Sequence, residues 1–150
     1  MEKKSIIIII IALILVIIGA IAFTTFSNSS QITVGDATFE IPSGFHEGTL
    51  NSAGDVNITN GYDSVFIKVH NHSNITKAIK DYKKYKKENN QSVKVSTLNI
   101  DNIEVYKSTV TNESHTVHYW FVYKDKVYSI YTWGSENIDD IATDLIKSLN

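Results

Sequence analysis

The chain has 150 residues, with 14 lysines, 16 acidic residues, no cysteine and a net charge of −2. Its hydrophobic content of 43% averages two unlike parts: 17 of the 18 residues from Ile6 to Phe23 are apolar, against 45 of the 120 from Gln31 onward. This split excludes a cytosolic globular protein, a disulfide scaffold and a disordered acidic chain as descriptions of the whole.

The apolar segment predicts a transmembrane helix over residues 6–26, preceded by a cytoplasmic N-terminus of residues 1–5. Eighteen helical residues span about 27 Å, close to the roughly 30 Å hydrocarbon core of a bilayer. Lys3 and Lys4 precede the segment and an uncharged linker, residues 27–31, follows it. The positive-inside rule therefore predicts a single-pass protein of the cell membrane, with an extracellular domain over residues 32–150.

A cleaved signal peptide is the alternative interpretation of the same segment. Ala20-Ile21-Ala22 is a small-x-small triplet of the kind that signal peptidase cuts, although the apolar run is longer than the usual 7–15 residues. Both interpretations export the domain. Because no cysteine follows the segment, a lipoprotein anchor is excluded.

Asn-x-Ser/Thr sequons are more frequent than composition predicts. Chance gives about 2.4 from 13 asparagines and 28 serines and threonines, whereas six are present. Such sites accept glycans only in a glycosylating compartment, and an Asn- and Ser-rich surface also generates them freely. The candidate acceptors are Asn28, Asn57, Asn71, Asn74, Asn90 and Asn112.

The sequence of the exported domain predicts, in chain order, a group of strands, a helix, a four-strand meander and a closing helix. Asn60-Gly61 predicts a hairpin turn, and Ser73 or Asn74 predicts the N-cap of a helix over Ile75–Glu88. A second amphipathic helix is predicted over Asn137–Leu149. Short apolar runs between turn residues predict strands at Ile32–Val34, Thr38–Ile41, Val56–Thr59, Ser64–His70, Val93–Leu98, Ile103–Val110, Thr116–Tyr123 and Val127–Trp133.

The strand Thr116–Tyr123 is apolar on both faces, with Tyr119 and Phe121 on one and Trp120 and Val122 on the other. Such a strand needs cover on both sides, which two amphipathic helices would supply. The sequence therefore predicts an α+β fold, a three-layer α/β/α sandwich around a mostly antiparallel sheet, preceded by one transmembrane helix.

The segment Thr38-Phe39-Glu40-Ile41-Pro42-Ser43-Gly44-Phe45 resembles the F-x-I-P-x-G-aromatic opening of PsbP-like and DcrB-like domains. The order of the later elements is similar too, so the resemblance spans residues 32–149. It implies an extracytoplasmic, non-catalytic binding or assembly module, and it carries over no functional residue. The Ile-, Lys-, Asn- and Tyr-rich composition without arginine also resembles that of envelope proteins from AT-rich microbes, such as methanogenic archaea.

Four histidines, His70, His72, His115 and His118, are weak candidates for metal ligands. They would converge only if two strand ends are adjacent in the sheet; otherwise they are solvated strand-end side chains. The segment from Asp55 to Gly61 alternates oxygen donors like a calcium loop, but its glycine stands at position seven and Phe66 at position twelve, which favours a hairpin. We therefore expect no metal and no cofactor.

The middle helix is strongly basic and suits contact with anionic lipid or wall polymer close to the membrane. A solvated helix face is the alternative, since Lys77–Asp81 and Lys84–Glu88 stand four residues apart. Nucleic acid is excluded, because the exported domain has a net charge of −3 and no arginine. The basic residues are Lys77, Lys80, Lys83, Lys84, Lys86 and Lys87.

No sequence motif for catalysis is present, so we expect no enzyme. The aromatic strand residues could instead line a sugar- or ligand-binding face, or simply fill the core. They are Tyr119, Trp120, Tyr123, Tyr128, Tyr131 and Trp133.

These observations predict a non-catalytic, membrane-anchored extracytoplasmic module of the cell envelope that binds or assembles with an envelope protein or polymer. The alternative is an exported domain that binds a small ligand or metal, with its signal peptide cleaved after Ala22. A partner-binding module should show a flat apolar patch, whereas a ligand-binding domain should show a pocket with convergent polar groups.

The retained anchor makes a direct prediction about the mature N-terminus. Mass spectrometry of protein purified from its native cells should recover peptides that include residues 6–22, because a membrane-spanning helix is not removed. A mature chain that begins at Phe23 would show a cleaved signal peptide instead.

Overall fold

The computed structural model describes residues 30–110, 116–133 and 138–149. Within them the chain forms nine strands and two helices: β1 (Gln31–Val34), β2 (Ala37–Glu40), β3 (His46–Glu47), β4 (Val56–Thr59), β5 (Ser64–His70), α1 (Ile75–Glu88), β6 (Val93–Ile100), β7 (Ile103–Val110), β8 (Thr116–Tyr123), β9 (Lys126–Trp133) and α2 (Ile138–Lys147). Neither of these helices is long and apolar enough to cross a membrane. The transmembrane helix predicted over residues 6–26 lies outside the described ranges.

Seven strands form one sheet in the order β3-β4-β5-β9-β8-β7-β6, and every neighbouring pair in it is antiparallel. β1 and β2 form a separate two-stranded hairpin. The prediction of an α+β fold around a mostly antiparallel sheet is confirmed. In this sheet β5 pairs with β9, so the strands β3–β5 lie beside the meander that β6–β9 form.

Helix α1 has the predicted bounds, and its first turn shows why. Asn74 is the N-cap, and its side-chain oxygen accepts a hydrogen bond from the backbone N–H of Lys77 at 2.8 Å. The helix ends where Asn90 takes a left-handed φ of 59°, a conformation that asparagine tolerates better than most residues.

The structure differs from the predicted elements at β3, at helix α2 and, by one or two residues, at the ends of β1, β2, β6 and β9. β3 was not predicted, because two exposed residues carry no apolar pattern. Helix α2 is shorter than the predicted helix over Asn137–Leu149, and Asn137 itself lies outside the described ranges. The predicted strand bounds around the hairpin are confirmed, and in the four-residue turn between β4 and β5 the side chain of Asn60 accepts hydrogen bonds from the backbone N–H groups of Tyr62 and Asp63.

Each helix packs on a different face of the sheet. On one face, α2 and the β1–β2 hairpin cover a large core that contains Phe39, Tyr119, Phe121 and Leu145, each at most 1% exposed. On the other face, α1 packs against a smaller cluster around Trp120. The two faces of β8 are thus both covered, but α1 supplies much less apolar cover than α2 and the hairpin together.

Candidate functional site

The sheet face beneath α1 carries a row of stacked rings. The strand register places Phe66 opposite Tyr131, and Tyr131 opposite His118, across β5, β9 and β8. The ring centroids lie 5.1 Å apart for Phe66–Tyr131 and 4.8 Å apart for Tyr131–His118, with interplanar angles of 17° and 13°. Cross-strand aromatic pairs of this kind stabilise a sheet and hold their rings in fixed positions.

Helix α1 covers only part of this face. Ala78 and Ile79 are buried against Trp120 and Val127, and the ring of Tyr82 lies 4.5 Å from that of His118. The final turn of the helix does not pack down in the same way, since the Tyr85 side chain is 61% exposed. A cleft of about 980 Å³ therefore opens between the C-terminal half of α1 and the sheet.

This α1 cleft has aromatic walls and a polar floor and rim. Its aromatic lining consists of Tyr82, Tyr85, His118, Trp120 and Tyr131. The remaining lining residues, almost all polar, are Ala53, Asp55, Lys68, His70, Lys86, Asn89, Gln91 and Ser129. Its volume is at the upper end of the range typical of small-molecule sites, about 300–1,000 Å³, and its mixed lining is of the same kind.

Asp55 is the centre of a hydrogen-bonded network at the floor of the cleft. Its carboxylate is 7% exposed and accepts hydrogen bonds from the Tyr131 hydroxyl at 2.6 Å and from the Asn51 amide at 3.1 Å. The ammonium of Lys68 lies 3.1 Å from the other carboxylate oxygen. Asn51 also accepts hydrogen bonds from the backbone N–H groups of Ala53 and Asp55, so it shapes the turn that presents the carboxylate.

This network sets the protonation states of its members. Burial by itself would raise the pKa of Asp55, but the hydrogen bonds from Tyr131 and Asn51 and the charge of Lys68 outweigh it and hold that pKa below its ordinary value. Burial and the adjacent carboxylate raise the pKa of the Tyr131 hydroxyl. At neutral pH the floor therefore carries a fixed carboxylate, a fixed ammonium and a neutral phenol.

His70 and Ser129 form the second polar contact in the cleft. The Nε2 atom of His70 lies 3.1 Å from the Ser129 hydroxyl. Burial, together with the positive charges of Lys68 and His72, lowers the pKa of His70 below its ordinary value of 6.5, so its ring is neutral at pH 7. Ser129 is 2% exposed and stands opposite Trp120 in the middle of the sheet.

The four histidines predicted as weak metal ligands do not all meet. The rings of His70 and His72 are 5.9 Å apart, but Trp120 lies between His70 and His118, 5.6 Å from each. His115 lies outside the described ranges. Among the described residues, no three His, Cys, Asp or Glu side chains are grouped closely enough to hold a metal ion.

The basic residues predicted on α1 divide into two groups. Five are exposed on the outer side of the helix: Lys77, Lys80, Lys83, Lys84 and Lys87. Lys77 pairs with Asp81 at 2.7 Å, and Lys84 lies 4.0 Å from Glu88. Lys86 is different, because it lines the cleft with its ammonium 5.9 Å from the centre of the Tyr82 ring.

The candidate glycosylation sites differ in how exposed their side chains are. Asn71, Asn74 and Asn90 are exposed, whereas Asn28 and Asn112 lie outside the described ranges. Asn57 was a poor candidate, because its side chain is 7% exposed and lies so close to Gly48 that a Cβ there would stand 2.3 Å from its amide oxygen. A glycan on Asn57 would have no path out of the folded domain.

The aromatic strand residues divide between the cleft and the opposite core. Trp120 and Tyr131 line the cleft, Tyr119 and Tyr128 are buried in the opposite core, and Tyr123 packs against that core. The side chain of Trp133 lies outside the described part of the chain.

Several cleft residues had no distinguishing pattern in the sequence. In the sequence, Asp55 is distinguished only as the first residue of a calcium-loop-like pattern, and Lys68 is an ordinary polar residue within a strand. The ion pair between them is visible only once β4 is paired with β5. The cleft residues that a sequence pattern did single out are the aromatic strand residues Trp120 and Tyr131, the histidines His70 and His118, and Lys86.

Comparisons with known proteins support the fold. Among solved structures, a cyanobacterial PsbP (CyanoP) from Synechocystis is similar over 81% of this chain and 91% of its own, with a TM-score of 0.53 and 11% identity. The fold is PsbP-like. A Bacteroides thetaiotaomicron protein is similar over 76% of this chain and 44% of its own, with a TM-score of 0.50 and 14% identity. No family model and no curated protein matches the sequence.

The Asp55 network predicts a specific loss of stability in the variant Asp55→Asn. The substitution removes the ion pair with Lys68 and leaves amide hydrogens facing other donors, so unfolding at pH 7 should require about 1–3 kcal/mol less free energy. Chemical denaturation of the full chain in a non-ionic detergent measures this difference. The exposed Asp144→Asn is the control and should change stability by less than about 0.5 kcal/mol.

The same pair of proteins tests the lowered pKa. A carboxylate with a depressed folded pKa contributes its full stabilisation above its ordinary value of 3.8 and loses it as the pH falls through the folded pKa. The difference between wild type and Asp55→Asn should therefore be constant at neutral pH and shrink below pH 3.8. An unchanged difference at the lowest pH at which both remain folded would contradict the assigned network.

Proposed function

We propose that this chain is a non-catalytic, membrane-anchored binding module of the cell envelope and that the α1 cleft is its ligand site. The cleft carries the proposal, because it is a pocket with convergent polar groups rather than a flat apolar patch. We therefore propose that the domain binds a small ligand in this pocket and not a protein on a flat surface. The anchor, the outward orientation and the archaeal-type envelope rest on the N-terminal sequence and the composition.

The floor of the cleft is prearranged for binding. Asp55 already receives contacts from Tyr131, Asn51 and Lys68, so these side chains are held in place before a ligand arrives. A prearranged site avoids the entropy cost of ordering side chains during association. The exposed ring of Tyr85 at the rim adds flat apolar area at the entrance.

The contact between His70 and Ser129 brings together two residue types used in nucleophilic catalysis, but its surroundings favour a structural role. Ser129 is 2% exposed in the middle of β9. β9 is paired with β5 on one side and β8 on the other, so its backbone N–H groups are used in the sheet rather than in an oxyanion hole. Among the described residues, no carboxylate is hydrogen-bonded to His70 to orient its ring as in a triad.

Two features of the outer surface, its exposed lysines and its exposed sequons, are compatible with a place in the cell envelope. The exposed lysines of α1 suit contact with an anionic polymer or lipid surface, and they lie on the helix side away from the cleft. The exposed sequons Asn71, Asn74 and Asn90 could carry glycans without disturbing the core.

A photocrosslinking experiment in intact cells tests the cleft. A photoreactive phenylalanine analogue is placed at Tyr85, which is 61% exposed at the rim, and in a matched variant at Tyr62, which is 98% exposed at the tip of the β4–β5 hairpin. Irradiation should give a discrete adduct from position 85 and none from position 62, because only the first lies at the cleft.

Two outcomes would contradict the proposed site. Equal adducts from both positions would indicate nonspecific contact, and no adduct from position 85 would indicate an empty cleft. An adduct whose mass is that of a second protein would show that the cleft binds a protein partner and not a small ligand.

A further inference from the structure

The turn between β4 and β5 contains Asn60-Gly61, the single Asn-Gly pair in the sequence. A bond from the backbone nitrogen of Gly61 to the side-chain carbonyl carbon of Asn60 would close a five-membered ring. Glycine hinders such a closure least, because it has no Cβ. Gly61 is exposed with a φ of 90°, and no heavy atom beyond its chain neighbours lies within 4 Å of where a Cβ would stand. Water therefore has access to this amide.

The side-chain carbonyl of Asn60 is polarised by two backbone groups. Its oxygen accepts hydrogen bonds from the N–H of Tyr62 at 2.9 Å and from the N–H of Asp63 at 2.7 Å. When a nucleophile attacks the carbonyl carbon, negative charge develops on this oxygen, and two aligned N–H groups stabilise that charge. The turn thus supplies the two donors of an oxyanion hole to one of its own side chains.

Further hydrogen bonds hold the attacking nitrogen and the leaving amide in place. The N–H of Gly61 donates to the Thr59 hydroxyl at 3.0 Å, and the side-chain amide of Asn60 donates to the carboxylate of Asp63 at 3.3 Å. The Thr59 hydroxyl in turn donates to the backbone carbonyl of Asp63 at 2.6 Å, which ties the two ends of the turn together. Reacting groups that are held together in this way react faster than groups on a flexible chain.

We propose that Asn60 is a site of spontaneous covalent modification, at which the folded turn promotes loss of the side-chain amide. The backbone nitrogen of Gly61 gives its proton to water and forms a bond to Cγ of Asn60. The bond from Cγ to Nδ2 breaks, and this nitrogen takes a proton from water and leaves as ammonia. One water molecule then opens the resulting succinimide at either carbonyl, which gives aspartate or isoaspartate.

Both products weaken the turn that forms them. Aspartate at position 60 replaces an amide that donates to Asp63 by a second carboxylate, so a hydrogen bond becomes a repulsion between like charges. Isoaspartate adds a methylene group to the backbone of a four-residue turn. The fraction of modified chains therefore rises with the age of the protein, and the modified chains have a less stable β4–β5 hairpin.

A comparison of the folded and the unfolded chain tests the proposal. The full chain in a non-ionic detergent is incubated at mildly alkaline pH, with and without concentrated urea. Peptide mass spectrometry then follows the replacement of the amide of Asn60 by a hydroxyl. The folded chain should convert Asn60 about tenfold or more faster than the unfolded chain, a small part of what aligned oxyanion donors contribute in enzymes. An equal or slower rate in the folded chain would overturn the proposal.

Asn51 is a control within the same samples. Its side-chain oxygen also accepts hydrogen bonds from two backbone N–H groups, those of Ala53 at 2.9 Å and Asp55 at 2.8 Å. The residue that follows it is Ser52, whose Cβ hinders ring closure. Asn51 should therefore keep its amide while Asn60 loses it. Equal conversion of the two asparagines would contradict the role assigned to Gly61.

Two neighbouring substitutions supply matched variants. Asp63→Ala removes the carboxylate that holds the amide of Asn60, so conversion should slow several-fold towards the rate in urea. Tyr62→Ala removes a ring that is 98% exposed and keeps the backbone N–H donor, so conversion should be unchanged. Neither residue belongs to the two apolar clusters of the described core, so both variants should fold. Equal rates in the two variants would overturn the proposed arrangement.

Discussion

The central strand β8 carries large apolar side chains on both faces, and the domain depends on covering both of them. Tyr119 and Phe121 meet a complete cover made of α2 and the β1–β2 hairpin. Trp120, on the opposite face, meets α1, in which only Ala78 and Ile79 are buried. The unequal cover leaves the α1 cleft open above an aromatic surface. The cleft is thus a consequence of the unequal cover on the two faces of the sheet.

The polar floor explains how such a surface stays ordered in contact with water. Asp55 brings together the turn before β4, the middle of β5 through Lys68, and β9 through Tyr131. A buried carboxylate is costly unless it is paired and hydrogen-bonded, and here both conditions are met. The same contacts that stabilise its charge remove it from proton transfer at neutral pH. This property of the floor supports the binding role that we propose for the cleft.

Much of the fold could be predicted because its information is local. Asn74 and the apolar spacing after it define α1, and turn residues separate the strands. The cleft could not be predicted, because its residues come from segments that meet only through the pairing of β5 with β9, which are far apart in the chain. Nothing in the sequence specifies that Phe66, Tyr131 and His118 share one row, or that Lys68 points to Asp55 and not to solvent.

Hydrogen exchange tests most directly whether the α1 cleft is occupied in the envelope. Exchange is compared between the full chain in its native membranes and the same chain after purification and extensive washing. We expect slower exchange in native membranes for the amides of residues 53–55 and 85–91, with the amides of β6, at the far edge of the sheet, unchanged. Equal exchange of the cleft amides in the two preparations would contradict a bound ligand.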